Sequence, residues 1–92
     1  MRIPAAIEAL VPEVTAWRQH LHAHPELGYE EHATQAFLAD KLKEFGADEV
    51  VTGMGGTGVV ALIRGRRPGN RAIGLRADID ALPIEELTGK PY

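Results

Sequence analysis

The sequence predicts an α/β fold in which two N-terminal helices are followed by a sheet that contains a β-hairpin. Apolar residues recur every three or four positions over the first half of the chain, which is the helical period. Beyond residue 48 they form short β-branched runs separated by glycine and proline, which is typical of strands and turns. The chain has 92 residues, so it has room for one small domain with a thin core.

Composition and charge exclude several classes of protein. The net charge of -3 disfavours a nucleic-acid partner, because phosphate binding needs a basic patch. Without cysteine, the chain forms no disulfide and no thiolate metal site. No segment approaches the roughly 20 apolar residues that span a bilayer. Glu8, Pro12 and Glu13 interrupt the apolar run that a signal peptide needs. We therefore expect a cytoplasmic protein with neither a nucleic-acid nor a membrane partner.

The first helix is predicted over residues 4–24. Val14, Trp17 and Leu21 recur at spacings of three and four and make one apolar stripe. Pro12 lies inside this range and has no N–H, and it also restricts the conformation of the residue before it. We therefore expect the proline to break or restart the helix.

The second helix is predicted over residues 30–45. Glu30 and Glu31 are placed in its first turn, where negative charge suits the helix dipole. Gly46 is a natural C-terminal stop. The apolar face of this helix is formed by Ala33, Phe37 or Leu38, Leu42 and Phe45.

Three strands are predicted, over about 48–52, 58–64 and 71–78. The last two are expected to pair as an antiparallel hairpin, whose second strand delivers Asp78 and Asp80 at its end. The final dozen residues have the composition of a loop. A final strand followed only by loop leaves a sheet edge poorly covered, so we expect the domain to continue beyond this chain.

A glycine-rich stretch, residues 53–58, matches the pattern G-x-G-x-x-G, with Asp78 twenty residues further on. That spacing imitates a dinucleotide-binding fingerprint. The fingerprint requires a helix directly after the glycines, because the helix N-terminus holds the pyrophosphate. Here the strand-like run 59–63 follows, so a flexible turn between strands is favoured over a nucleotide site.

Alternating histidines, at positions 20, 22 and 24, are candidate metal ligands or contacts to substrate or to another subunit. His20 and His24 share one helix face, whereas His22 points elsewhere. A zinc motif of the type H-E-x-x-H would need glutamate at position 21, which is leucine. Histidines near a helix C-terminus are also favourable by charge alone, and this polar helix end is the favoured interpretation.

An acidic cluster follows the histidines and consists of Glu26, Glu30 and Glu31. Paired carboxylates can carry out acid–base chemistry. Two acids in the first turn of a helix are explained by the dipole alone, which is the favoured interpretation here.

A second acidic pair, Asp78 and Asp80, flanks Ile79 at the end of the predicted strand. Side chains two positions apart on a strand share a face, so both carboxylates can point into one site. Two such acids repel each other unless a cation or hydrogen-bond donors compensate. Arg76, two residues earlier on the same face, is placed to take part in that compensation. A surface turn could carry two aspartates as well, so these observations alone leave the question open.

Three stretches of the sequence, in this order, resemble one family. Residues 18–31 are similar to its opening motif, residues 55–61 to its glycine-rich segment leading into a hairpin, and residues 75–84 to its Arg-Ala-Asp-x-Asp-Ala-Leu-Pro signature. The family is the amidohydrolase branch of the aminoacylase/carboxypeptidase G group of metallopeptidases. That branch includes hippurate hydrolases, N-acyl-amino-acid amidohydrolases and plant indole-acetyl-amino-acid hydrolases.

The resemblance implies that residues 1–92 are an incomplete N-terminal part of the catalytic domain of a longer enzyme. Such an enzyme hydrolyses the amide bond of small N-acyl amino acids and uses one or two divalent ions, Zn, Mn or Co. The ion activates water and polarises the amide carbonyl, and a glutamate acts as general base. An inserted dimerisation domain makes a homodimer the expected assembly.

The resemblance also assigns the candidate site residues. In the wider group, the matching motif is His-x-Asp-x-x-Pro, in which the histidine binds metal and the aspartate orients it. Here Asp78 stands at the histidine position and Asp80 matches the aspartate. The ligands of this branch are expected in a later Cys-Gly-His-Asp motif, a Glu-Glu pair and further histidines outside the opening motif. No metal ligand is therefore assigned in this chain.

Two hypotheses follow from these assignments. In the first, the chain is part of a metal-dependent amidohydrolase and is inactive and free of metal on its own. Asp80, and then Asp78, serve as active-site acids or as acids that orient ligands. In the second, the chain is a non-catalytic small binding or structural domain that has kept the family's N-terminal shape.

Overall fold

Helices occupy the first half of the chain and a β-hairpin follows them. The computed structural model describes residues 2–92. This order confirms the predicted α/β class, with helices preceding a sheet that contains a hairpin. The elements are α1 (Ala5–Glu8), α2 (Val11–Ala23), α3 (His32–Glu44), β1 (Glu49–Met54) and β2 (Gly58–Leu62).

The predicted helix over residues 4–24 is divided in two. α1 ends at Glu8, and α2 begins at Val11 with Pro12 in its first turn. A proline is tolerated there because the first N–H groups of a helix have no partner within it. The expectation that Pro12 breaks or restarts the helix is thus confirmed.

α3 begins later than predicted and ends where the sequence indicates. Its first residue is His32, so Glu30 and Glu31 precede the helix instead of lying in its first turn. At the other end, Gly46 has φ +83 and donates its N–H to the Lys43 carbonyl at 3.0 Å. The Ala47 N–H reaches the Leu42 carbonyl at 3.2 Å, which completes a Schellman motif.

The hairpin joins a different pair of strands from the one predicted. β1 pairs antiparallel with β2, with Val50 opposite Ala61 and Val51 opposite Val60. Residues 71–78, predicted to be the returning strand, form no strand. A β-forming run becomes a strand only where a partner supplies ladder hydrogen bonds, and the sheet contains β1 and β2 alone among residues 2–92. Ile73 in the unpaired run is 91% exposed.

The glycine-rich stretch is the turn of this hairpin. Gly55 and Gly56 have φ +63 and +105, values that residues with a side chain rarely adopt, and β2 follows directly at Gly58. Since a strand and not a helix follows the glycines, the dinucleotide-binding alternative is wrong. The glycines make the turn.

The core is small and lies where α3 packs on the hairpin. Ala39, at 4% exposure, is the one buried apolar residue among residues 2–92. α2 contacts α3 through aromatic side chains, with the Trp17 and Phe45 ring centroids 5.3 Å apart. Across residues 2–92, no helix has both the length and the apolar character required to cross a membrane.

Candidate functional site

A cleft of about 330 Å³ lies between the end of α2, the start of α3 and residues 77–81. His22, His24 and Glu26 of the opening motif line one side, and Asp78 and Asp80 line the other. The cleft therefore brings together two of the three motifs, which are about fifty residues apart in the sequence. Both predicted site residues contribute to it.

Asp78 is held by the arginine that the sequence indicated. The Arg76 Nη2 lies 2.8 Å from the Asp78 Oδ1, and both side chains are largely exposed. This pair offsets the repulsion between the two carboxylates. Because both groups face solvent, the ion pair adds little to stability, and we attribute to it the orientation of Asp78.

Asp80 lies beside the turn that follows α2. A Cβ added at Gly28 would lie 3.7 Å from the Asp80 Oδ2, so the carboxylate passes close to the Gly28 backbone. The next residue, Ala81, donates its N–H to the Glu26 carbonyl at 2.8 Å. Residues 77–81, called the Asp80 segment below, are thus attached to residues 26–28, although they belong to no strand.

Glu26 is the carboxylate that meets the N-terminus of α3. Its side chain accepts the Thr34 N–H at 2.6 Å and the Ala33 N–H at 3.1 Å. A hydrogen bond from the Thr34 side chain, then one from the Thr34 N–H, lowers the pKa of Glu26 below its ordinary value. Carboxylate–dipole complementarity was predicted for Glu30 and Glu31. That assignment is wrong because the helix starts after them, and Glu26 takes this place from outside the helix.

Glu31 has a separate role and is buried. Its Oε2 accepts the Thr57 hydroxyl at 2.9 Å, and its Oε1 accepts the Glu30 N–H at 3.0 Å. Glu31 and Thr57 are only 7% and 3% exposed. Sequence spacing gave no sign of this bond, although each partner lies in one of the family-like motifs. The opening motif therefore contacts both the glycine-rich turn and the Asp80 segment.

The three histidines separate as expected from helix geometry. His20 and His24 share a face, with ring centroids 4.7 Å apart, and His24 Nδ1 donates to the His20 carbonyl at 2.8 Å. His20 also stacks on Phe37. His22 points elsewhere, and its Nε2 lies 2.8 Å from the Glu86 Oε2. Within residues 2–92, no three His, Asp or Glu side chains are arranged to hold a metal ion.

Comparison with known proteins identifies relatives over most of the chain. It is 49% identical over 89 residues to an N-acetyl-L-cysteine deacetylase of Bacillus subtilis, which covers 97% of this chain and 21% of the relative. It is 48% identical over 75 residues to a hippurate hydrolase of Campylobacter jejuni, covering 82% of this chain and 19% of that enzyme.

A third relative is an N-acyl-L-amino acid amidohydrolase of Geobacillus stearothermophilus, 43% identical over 84 residues, or 91% of this chain and 22% of the relative. The chain thus spans about a fifth of the length of the curated relatives it matches. No family model and no solved structure matches it. The chain is a relative of amidohydrolases and deacetylases, which confirms the resemblance that its three motifs predicted.

Proposed function

We propose that this chain is part of a metal-dependent amidohydrolase that hydrolyses the amide bond of small N-acyl amino acids such as hippurate. The observation that carries the proposal is the cleft where Asp78 and Asp80 meet the opening motif. It occurs in a chain that is 48% identical to a hippurate hydrolase over the matched residues. A concave site with a few convergent polar groups is the usual form of a small-molecule site.

Asp80 and Asp78 have different surroundings and so different proposed roles. Arg76 holds the Asp78 carboxylate in a solvent-exposed ion pair. Asp80 lies against Gly28, and we assign to it the orientation of catalytic groups or of substrate. Both aspartates would act from one wall of the cleft.

A divalent ion, Zn, Mn or Co, supplies Lewis-acid polarisation of the carbonyl and an activated water in this type of chemistry. Residues 2–92 do not fit such an ion by themselves, because no three His, Asp or Glu side chains among them are grouped to hold it. We therefore place its ligands in residues other than these. The part played by the present residues is to shape the cleft and hold Asp78 and Asp80.

The proposal includes three further points that rest on the family resemblance. Residues 1–92 form an N-terminal part of the catalytic domain. The complete enzyme is a homodimer with no nucleic-acid or membrane partner. Its location is cytoplasmic.

The test uses the longest natural polypeptide that carries this sequence, assayed for release of free amino acid from hippurate and N-acetyl-L-cysteine. Asp80→Ala should lower turnover about 10- to 100-fold, the loss typical when a residue that orients catalytic ligands is removed. The fold should persist, because the Asp80 carboxylate is exposed to solvent. Circular dichroism of the variant checks that point.

Asp40→Ala is the matched control, because Asp40 is an exposed aspartate on α3 that does not line the cleft. Its turnover should equal that of the wild type. Unchanged kinetics in the Asp80 variant would refute the assigned role of Asp80. Absence of hydrolysis in the wild type, with any N-acyl amino acid and with Zn, Mn or Co supplied, would favour the non-catalytic domain instead.

A further inference from the structure

The Asp80 segment has no strand neighbour to fix its position. Residues 71–81 form neither helix nor strand, and Asp80 is exposed. A backbone outside a ladder needs other partners, because each residue carries a donor and an acceptor that require satisfaction. The Ala81 N–H finds its partner in the Glu26 carbonyl, at 2.8 Å. The position of Asp80 thus depends on Glu26.

Glu26 is itself fixed to α3 by its side chain. The two carboxylate oxygens accept one N–H each from Thr34 and Ala33, at 2.6 and 3.1 Å. Thr34 is buried, with 5% exposure, so this end of α3 belongs to the packed part of the molecule. Charged acceptors at a helix N-terminus make short, strong hydrogen bonds and are favoured by the dipole. Glu26 therefore links residue 81, through its carbonyl, to the start of α3, through its side chain.

Gly28 controls the space on the other side of Asp80. Its φ lies outside the left-handed region, so its backbone does not require glycine. What distinguishes the position is the carboxylate beside it, 3.7 Å from where a Cβ would stand. That distance is ordinary contact, so alanine fits. The methyl groups of valine reach about 1.5 Å beyond Cβ, so a methyl group directed at the Asp80 carboxylate would be too close to it.

We propose that Glu26 and Gly28 are positioning residues for Asp80. Glu26 ties residue 81 to the start of α3, and Gly28 leaves the room that the Asp80 carboxylate occupies. The geometric part stands on these contacts alone, whereas its consequence for turnover rests on the proposed function. One measurement therefore tests the geometry and another tests the turnover, so that failure of the positioning is distinguished from failure of the proposed function.

The first measurement is a set of kinetic variants of the longest natural polypeptide that carries this sequence, with hippurate as substrate. Gly28→Ala should keep wild-type kcat, whereas Gly28→Val should lower it by up to about 100-fold, the loss expected from an ångström-scale displacement. In the Asp80→Ala background, Gly28→Val should have little further effect. Gly69→Val is the control, because nothing lies near an added Cβ there and its φ also lies outside the left-handed region.

The two glycine variants and the double variant together separate positioning from general damage. A loss for Gly28→Val that persists undiminished in the Asp80→Ala background would overturn the Gly28 assignment, because the effect would then bypass Asp80. Equal losses for alanine and valine would also overturn it, since alanine fits the observed spacing.

The second measurement needs no substrate and follows amide hydrogen exchange in residues 77–84. Glu26→Ala should accelerate exchange at Ala81, because residue 26 loses its attachment to α3. Glu26→Gln keeps one oxygen acceptor and should give an intermediate rate. Unchanged exchange at Ala81 in Glu26→Ala would overturn the Glu26 assignment. Gly28→Val should also accelerate exchange in residues 77–84, whereas Gly28→Ala should leave it unchanged, and equal exchange in both would overturn the Gly28 assignment. If the wild type hydrolyses nothing, the proposed function fails, and these exchange rates still decide the positioning.

Discussion

At the scale of the residue, the ionisation of Glu26 is coupled to the start of α3. Hydrogen bonds from Thr34, first through its side chain and then through its N–H, hold the pKa of Glu26 below its ordinary value of 4.5. The Ala33 N–H acts in the same direction. Glu26 is therefore ionised more readily in the folded chain than in the unfolded chain.

A pH prediction follows from that direction. A carboxyl whose pKa is lowered on folding stabilises the fold above its unfolded-state pKa, and the contribution is lost as the pH falls through the lower, folded-state value. We expect Glu26→Gln to be less stable than the wild type at neutral pH. The difference should shrink as the pH falls below about 4.5. Urea unfolding midpoints of the longest natural polypeptide that carries this sequence, measured between about pH 3 and pH 7, check this.

Glu13→Gln provides the control for that series, because Glu13 is an exposed carboxylate in the first turn of α2. Its difference from the wild type should vary little over the same range. A Glu26→Gln difference that stayed constant down to the lowest pH would show that the charge of Glu26 is not what stabilises the start of α3.

Residue contacts were predictable from the sequence only where they are local. The Arg76–Asp78 pair follows from side chains two positions apart in an extended chain, and the structure confirms it. The contact of Glu26 with Thr34 bridges eight positions across a turn that no periodic pattern describes. Contacts of that kind depend on where α3 begins, and helix ends are poorly defined by sequence.

At the scale of the element, one buried hydrogen bond joins the start of α3 to the hairpin turn. The Thr57 hydroxyl donates to the Glu31 carboxylate at 2.9 Å, and both residues are buried. Nearby, the Gln35 side-chain amide donates to the Gly58 carbonyl at 3.2 Å. The start of the same helix also binds the Glu26 side chain. The positions of the hairpin and of the Asp80 segment therefore both depend on α3.

Removing the Thr57 hydroxyl should loosen this junction. Thr57→Val keeps the shape but leaves a buried carboxylate oxygen of Glu31 without its donor, which costs about 1–3 kcal/mol of unfolding free energy. Thr52→Val, an exposed position on β1, is the matched control and should change stability little. Urea unfolding of both variants, made in the longest natural polypeptide that carries this sequence, provides the measurement. Equal stabilities would mean that water replaces the hydroxyl at no cost.

The elements themselves were predictable to different degrees. α3 and its stop follow from an apolar period and from Gly46, signals that act within one turn of helix. The returning strand at 71–78 does not form, although its residues favour strands. Strand formation depends on a partner strand that is often distant in the sequence, and local composition does not specify one. The position of Asp80 was expected to be fixed by a strand, and contacts with Glu26 and Gly28 fix it instead.

At the scale of the whole molecule, the surface is large for the mass. The accessible area is 8067 Å², whereas a compact protein of 10.0 kDa exposes about 5,200 Å². The radius of gyration is 15.6 Å, against about 12 Å for a compact domain of this length. Large apolar side chains contribute to the excess, among them Leu75 at 95% and Leu87 at 81% exposure. Much apolar surface is therefore exposed to solvent in these residues.

A polypeptide of these 92 residues alone should therefore be weakly stable. With Ala39 as the one buried apolar residue among residues 2–92, it gains little hydrophobic free energy to offset the entropy of ordering its backbone. We expect a broad, weakly cooperative thermal transition by circular dichroism and binding of an apolar dye such as ANS at neutral pH. In the longest natural polypeptide, dye binding should be much lower. A sharp two-state transition without dye binding in the 92-residue polypeptide would contradict this, because it would show that the exposed apolar side chains need no cover.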